Sequence, residues 1–216
     1  FYRYVEDGYA AVSTYRRDYF DYYFSTITMS AKYPGPEKED YKPVLLHEYF
    51  HVVQHTSIKW IEKNGDRTPG YLLLDGDIEQ KPWIAEGGAE YMGQLLYSRI
   101  YPKESDQKYD EWHTLEERMI WKTEAKNELL PGERMEDIVY GERQRVGYEL
   151  GTWATALLIH KYGEEAYLSL YDDIAEMGFE EAFVKNFGIS SKEFLDEFHN
   201  EFLELPLEEQ LKIIPS

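Results

Sequence analysis

The sequence predicts an α+β fold that is mostly α: a small N-terminal β-sheet followed by a helical C-terminal part. Beyond residue 43, apolar residues recur at three- and four-residue spacing between recognisable helix start and stop signals. Before residue 43, the stretch Tyr23-Phe24-Ser25-Thr26-Ile27-Thr28-Met29-Ser30-Ala31 alternates and is rich in strand formers, so it reads as a strand. The 216 residues contain no internal repeat and no low-complexity tract, which suits a single domain. Within 1–216, the parts are 1–43 (strand and loop), 44–100 (two helices) and 101–216 (helical).

The elements follow in order. Tyr33-Pro34-Gly35-Pro36-Glu37-Lys38-Glu39-Asp40 breaks the strand as a loop. Pro43 suits a first helical position, and Val44 to Lys59 reads as a largely buried helix. Residues 62–82 carry Asn64-Gly65, Pro69-Gly70, Asp75-Gly76 and Pro82, and read as a long connection. A second helix starts near Trp83 or Ile84 and runs to about Ile100, and a loop covers Tyr101–Lys108. Trp112, Leu115, Met119 and Ile120 share a helical spacing. After Pro131-Gly132, the run Val146–Tyr162 places Leu150, Trp153, Ala154, Leu157 and Leu158 on one face and closes at Gly163. Two further helices follow, the last opened by the capping-box pattern Ser190-Ser191-Lys192-Glu193 and carrying Phe194, Leu195, Phe198 and Phe202.

Composition removes several functions. With 23 Lys+Arg against 42 Asp+Glu, the formal net charge is −19. Nucleic acid and anionic membrane surfaces need a basic face and are excluded as partners. No run of 18 apolar residues exists, so no membrane insertion is expected. Cys is absent, which excludes thiol catalysis, disulfides and thiolate-ligated metal, so any metal site must be built from His and carboxylate. Beginning at Phe1 rather than Met, the chain reads as a fragment or a processed form.

The informative string is His47-Glu48-Tyr49-Phe50-His51. Two His four apart on a helix project from one face, so their ring nitrogens can converge on one ion. Glu48 is offset from His47 by about 100°, which suits a base beside a metal rather than a ligand on it. With 6 His in 216 residues, chance gives this pattern roughly 0.02 times per chain. The competing reading is a pair of buried imidazoles satisfied by hydrogen bonds.

Catalytic zinc takes three protein ligands and keeps one open position. The metzincin arrangement would need Gly and His where Gln54 and Ser57 stand, so that class is excluded. His55 lies about 6 Å further along the helix axis than His51 and suits packing better than ligation. The better third ligand is Glu86, 35 residues after His51, in Trp83-Ile84-Ala85-Glu86-Gly87-Gly88-Ala89-Glu90-Tyr91. Gly87, Gly88 and Ala89 are small enough for two helices to approach closely. Glu90, one turn after Glu86, could accept the free ring N–H of a ligand His and fix its tautomer. Without the His pair, Glu86 and Glu90 would read as two solvated helix acids.

Taken together, His47-Glu48-x-x-His51 and Trp83-x-x-Glu86-Gly87-x-Ala89-x-Tyr91 resemble the gluzincin zinc metallopeptidases, above all the branch that contains the membrane-alanyl-aminopeptidase type. That branch also carries a tyrosine in a Tyr-Glu-x-Gly context some sixty residues beyond the glutamate ligand. Here Tyr148-Glu149-Leu150-Gly151 begins 62 residues beyond Glu86. The resemblance spans roughly residues 24–200. It implies a zincin-like catalytic domain with one Zn2+ per chain held by His47, His51 and Glu86, Glu48 as the base that activates water, and Tyr148 as the donor to the oxyanion. On residue chemistry alone, Tyr148 reads as an aromatic that packs or caps near a helix start.

The Gly-Ala-Met-Glu-Asn segment that grips a free α-amino group in those aminopeptidases is absent, so an endopeptidase acting on a peptide or protein is expected rather than an aminopeptidase. The strand Phe24–Ala31 would pair with an extended peptide, as gluzincin edge strands do. An extracellular or cell-envelope home is a family-level implication.

Two rival readings stay open: a zinc-binding recognition or regulatory module without turnover, and a helical interaction domain with buried histidines. Asp75, Asp77 and Glu79 alternate without the Glu-terminated calcium-loop pattern and read as a solvated loop. His113, His160 and His199 read as surface or packing residues. The N-terminal tyrosines (Tyr2, Tyr4, Tyr9, Tyr15, Tyr19, Tyr22, Tyr23) read as helix and strand packing, with a substrate cleft as the alternative.

Overall fold

A computed structural model describes residues 11–17, 23–29, 42–56, 60–63, 66–69, 81–101 and 114–215. It divides into two compact units, Phe1–His55 with Ala89–Leu115 and Thr56–Gly88 with Glu116–Ser216.

In the first unit, β1 (Ala11–Arg17) pairs antiparallel with β2 (Tyr23–Met29), in register from Ala11 opposite Met29 to Arg17 opposite Tyr23. Helix α1 (Lys42–Thr56) packs against the C-terminal half of α2 (Pro82–Ile100). The contact is backbone-close because Gly93 has no side chain. A Cβ there would stand 2.7 Å from His47 N and 2.9 Å from His47 Cα. Phe50, Tyr91, Met92, Leu95 and Tyr97 are buried in this unit.

The second unit opens with a hairpin of β3 (Trp60–Lys63) and β4 (Asp66–Pro69). The first turns of α2 follow. Pro82 takes the first helical position, where a missing N–H costs nothing. Helix α3 (Leu115–Lys122) runs into a 3₁₀ segment, and a short 3₁₀ turn, Met135–Asp137, precedes α4 (Gln144–Tyr162). Every residue of α4 from Leu150 to Leu158 is buried, so this helix is the centre of the unit rather than a surface helix. Gly151 and Gly87 let α4 and α2 cross with their backbones in contact. A Cβ on Gly151 would stand 2.2 Å from Trp83 O, and one on Gly87 2.3 Å from Gly151 C.

After Gly163 come α5 (Glu164–Met177), α6 (Phe179–Phe187) and α7 (Ser191–Glu197), then a π turn over Phe198–Phe202 and the short α8 (Leu207–Gln210). Gly188, left-handed at φ 75°, ends α6. Ser190 caps α7 reciprocally with Glu193: its hydroxyl accepts the Glu193 N–H at 3.1 Å, and the Glu193 carboxylate accepts the Ser190 N–H at 2.8 Å. Phe183, Phe187, Phe194, Phe198 and Phe202 form a continuous chain of ring contacts.

The expected α+β class with a small N-terminal β-sheet is corrected to a mostly helical fold. Strands among the described residues occur only as two separate two-stranded hairpins, and a lone hairpin has no second layer on which to build a sheet core. The first helix is described over Lys42–Thr56, and 57–59, the end of the expected helix, lie outside the described residues. Two boundaries also differ. The connection expected over 62–82 includes β-structure, with the hairpin-favouring Asn64-Gly65 standing between β3 and β4 in the sequence. The first of the two expected terminal helices is divided at Gly178, whose φ of 88° does not continue a helix. The loop at 33–40, Trp112, and Asp75, Asp77 and Glu79 lie outside the described residues. Among the described residues, no helix is long and apolar enough to cross a membrane.

Candidate metal centre

Helix α1 presents His47 and His51 from one face, as a four-residue step on a helix requires. Their rings meet edge to face with centroids 4.8 Å apart. His47 Nε2 and His51 Nε2 are 3.1 Å apart. The other ring nitrogens face oxygen: His47 Nδ1 lies 3.1 Å from Glu90 Oε2, and His51 Nδ1 lies 2.8 Å from Gln54 Oε1. A carboxylate and an amide oxygen only accept, so each Nδ1 carries the hydrogen. In the neutral rings both Nε2 lone pairs are then directed at the same small volume. Two acceptors at that separation repel each other, and a cation between them removes the repulsion.

Glu90 is itself held, with Gln94 Nε2 donating to its Oε1 one turn further along α2. One turn before Glu90 on the same helix stands Glu86, half-buried. His47, His51 and Glu86 each offer one ligand atom within 4.8 Å of the others, a group that could hold a metal ion. The donor set is two imidazole nitrogens and a carboxylate oxygen, which suits zinc and its borderline neighbours rather than calcium or magnesium. A tetrahedral zinc site separates its ligand nitrogens by about 3.3 Å, close to what the His pair shows. Glu48, beside His47, is only 7% exposed.

Tyr148 lies in the first turns of α4, half-buried, with its ring meeting that of Tyr140 edge-on at 6.4 Å. Tyr140 donates from its hydroxyl to Glu86 Oε1 at 2.8 Å. Sequence reasoning missed this residue, which sits in an irregular stretch before α4 where neither periodicity nor spacing marks it. It also missed the role of Gln54, which stands three residues after His51 on the same helix and is within reach of it for that reason. The side chain of His55 and all of His113 lie outside the description. His160 is exposed, and His199 is part-buried with Nε2 3.0 Å from Glu136 Oε2.

Compared with protein-family models, curated proteins and solved structures, the chain matches none.

Proposed function

We propose that the chain is a zinc-dependent peptidase of the gluzincin type that cleaves internal bonds of a peptide or protein substrate. The observation that supports it best is the convergence of His47 Nε2 and His51 Nε2, each with Nδ1 on an oxygen, together with the Glu86 carboxylate. Bound by these three residues, zinc would polarise a scissile carbonyl and make a ligated water acidic.

The chain's own residues supply the rest. Glu90 and Gln54 hold the two imidazoles in the tautomer that leaves Nε2 a lone pair. Glu48 follows His47 on α1 and is 7% exposed; its carboxylate would take a proton from the attacking water and return it to the leaving amine. Tyr148 donates its hydroxyl hydrogen to the carbonyl oxygen as negative charge builds there. The edge-on contact with Tyr140 fixes the plane of its ring.

The test is zinc content by elemental analysis, paired with hydrolysis of an unfolded protein substrate. Wild type and Glu48→Gln should each carry one zinc, and His51→Ala none. Hydrolysis by Glu48→Gln should fall by roughly 10²- to 10⁴-fold. A folded wild type that takes up no zinc on titration overturns the reading, as does a Glu48→Gln variant that cleaves at the wild-type rate. Stoichiometric zinc without hydrolysis would replace it with a binding module that does not turn over.

A further inference from the structure

We propose that Tyr140 is the positioning residue of the Glu86 carboxylate, holding it as a one-oxygen ligand for zinc; this rests on the ligand assignment above. The bond joins residues 54 apart in sequence, Tyr140 Oη donating to Glu86 Oε1 at 2.8 Å. A phenol is the only donor of the pair, since an ionised carboxylate accepts and does not donate.

The placement is built from below. Gly147, in the first turn of α4, marks a three-way junction. A Cβ there would stand 2.6 Å from Pro82 Cγ and 3.5 Å from Ile138 Cγ2. Pro82 opens α2 one turn before Glu86, Ile138 is buried two residues before Tyr140, and Tyr148 follows Gly147 directly. Fully buried Met135 anchors the same stretch three residues earlier. The start of α2, the Tyr140 stretch and the start of α4 are therefore pinned at one place. Tyr140 itself is 39% exposed, so its bond to Glu86 is not a by-product of core packing.

Two consequences follow for Glu86. A carboxylate on a half-exposed helix face samples several rotamers, and the hydroxyl selects one, so less freedom is lost when a metal binds. A donor already on Oε1 also opposes chelation through both oxygens, which keeps the site at three protein donor atoms with one position open.

The test compares wild type with Tyr140→Phe, which removes only the hydroxyl. The readouts are the zinc Kd by chelator competition and the visible absorption of the Co2+ form. Zinc affinity should fall by about 10- to 100-fold in the variant. The cobalt bands should weaken as the carboxylate turns bidentate and the coordination number rises. The thermal midpoint of the metal-free variant should match wild type, which separates this role from a structural one. Equal zinc affinities with identical cobalt spectra overturn the proposal while leaving the metal site intact. A wild type that binds neither ion refutes the ligand assignment itself, and this inference with it.

Discussion

The segment from Gln144 to Phe202 and the helix Lys42–Thr56 are built in opposite ways. In the first, helix boundaries are set by neighbours in sequence. Gly163, Gly178 and Gly188 end or divide helices, and Ser190 and Glu193, three residues apart, start the next one. In the second, His51 is set by a near neighbour, Gln54, but the other groups of the candidate site are positioned from far away. His47 is set by Glu90 at a separation of 43 residues, and its backbone lies against Gly93. Glu86, on the partner helix, is set by Tyr140. Local signals fix where the helices run, and distant contacts orient His47 and Glu86 of the candidate site. Substitutions in the two regions should therefore differ in kind: one costs stability alone, the other stability together with the geometry of the candidate metal site.

The largest effect on folding is expected at the crossing of α2 and α4. In Gly151→Ala, the new Cβ meets Trp83 O at 2.2 Å and Trp83 Cα at 2.6 Å, and both are backbone atoms that cannot rotate away. The helices must separate and Trp83, buried at 4% exposure, must move with them. Unfolding in urea should show a loss of about 3 kcal/mol, at the upper end for overpacking. A loss below about 0.5 kcal/mol, typical of an inert surface change, would show that the crossing is looser than described.

Gly93→Ala probes the other region. Its Cβ meets His47 N at 2.7 Å and His47 Cα at 2.9 Å, so α1 must shift at a candidate ligand residue. A stability loss of about 1–2 kcal/mol is expected. Zinc affinity, measured on the folded variant, should fall by at least about tenfold, because a small displacement of His47 breaks both its convergence with His51 and its bond to Glu90. Unchanged affinity in a destabilised variant would mean that α1 is held at His47 by contacts other than this one, and would weaken the contrast drawn between the two regions.

This division also explains what could be read in advance. The helices of the C-terminal part were legible because periodicity, glycine stops and a capping box are local. Gly178 was missed because a single glycine inside an apolar pattern also fits an uninterrupted helix. The His47, His51 and Glu86 grouping was legible because His47 and His51 share one helix face and Glu86 stands beside Gly87, Gly88 and Ala89, small enough for two helices to approach closely. Tyr140 was not, since a hydrogen bond across 54 residues leaves no trace in spacing. The expected sheet failed for a different reason: strand propensity identified β2, but a strand becomes a sheet layer only through partners elsewhere in the chain, and among the described residues β2 pairs with β1 alone.

The smallest effect concerns another joint where the C-terminal region relies on distant contacts. Glu136 follows Met135 in the 3₁₀ turn and bonds to His199, 63 residues on, and to Arg134, which also pairs with Asp196 at 2.9 Å. Burial alone would raise the Glu136 carboxyl. Hydrogen bonds from His199, its own backbone and Arg134 outweigh that, and hold it below the usual glutamate range. A carboxylate whose folded pKa is depressed contributes stability that is fully present above its unfolded pKa and is lost as the pH falls through the folded value. Wild type should therefore lose more stability than Glu136→Gln between neutral pH and about pH 3, by up to about 1 kcal/mol for a partly exposed pair. Urea midpoints for both proteins at the two pH values check this. Parallel losses would show that this joint carries no net charge energy, and that its polar contacts position side chains without stabilising the fold.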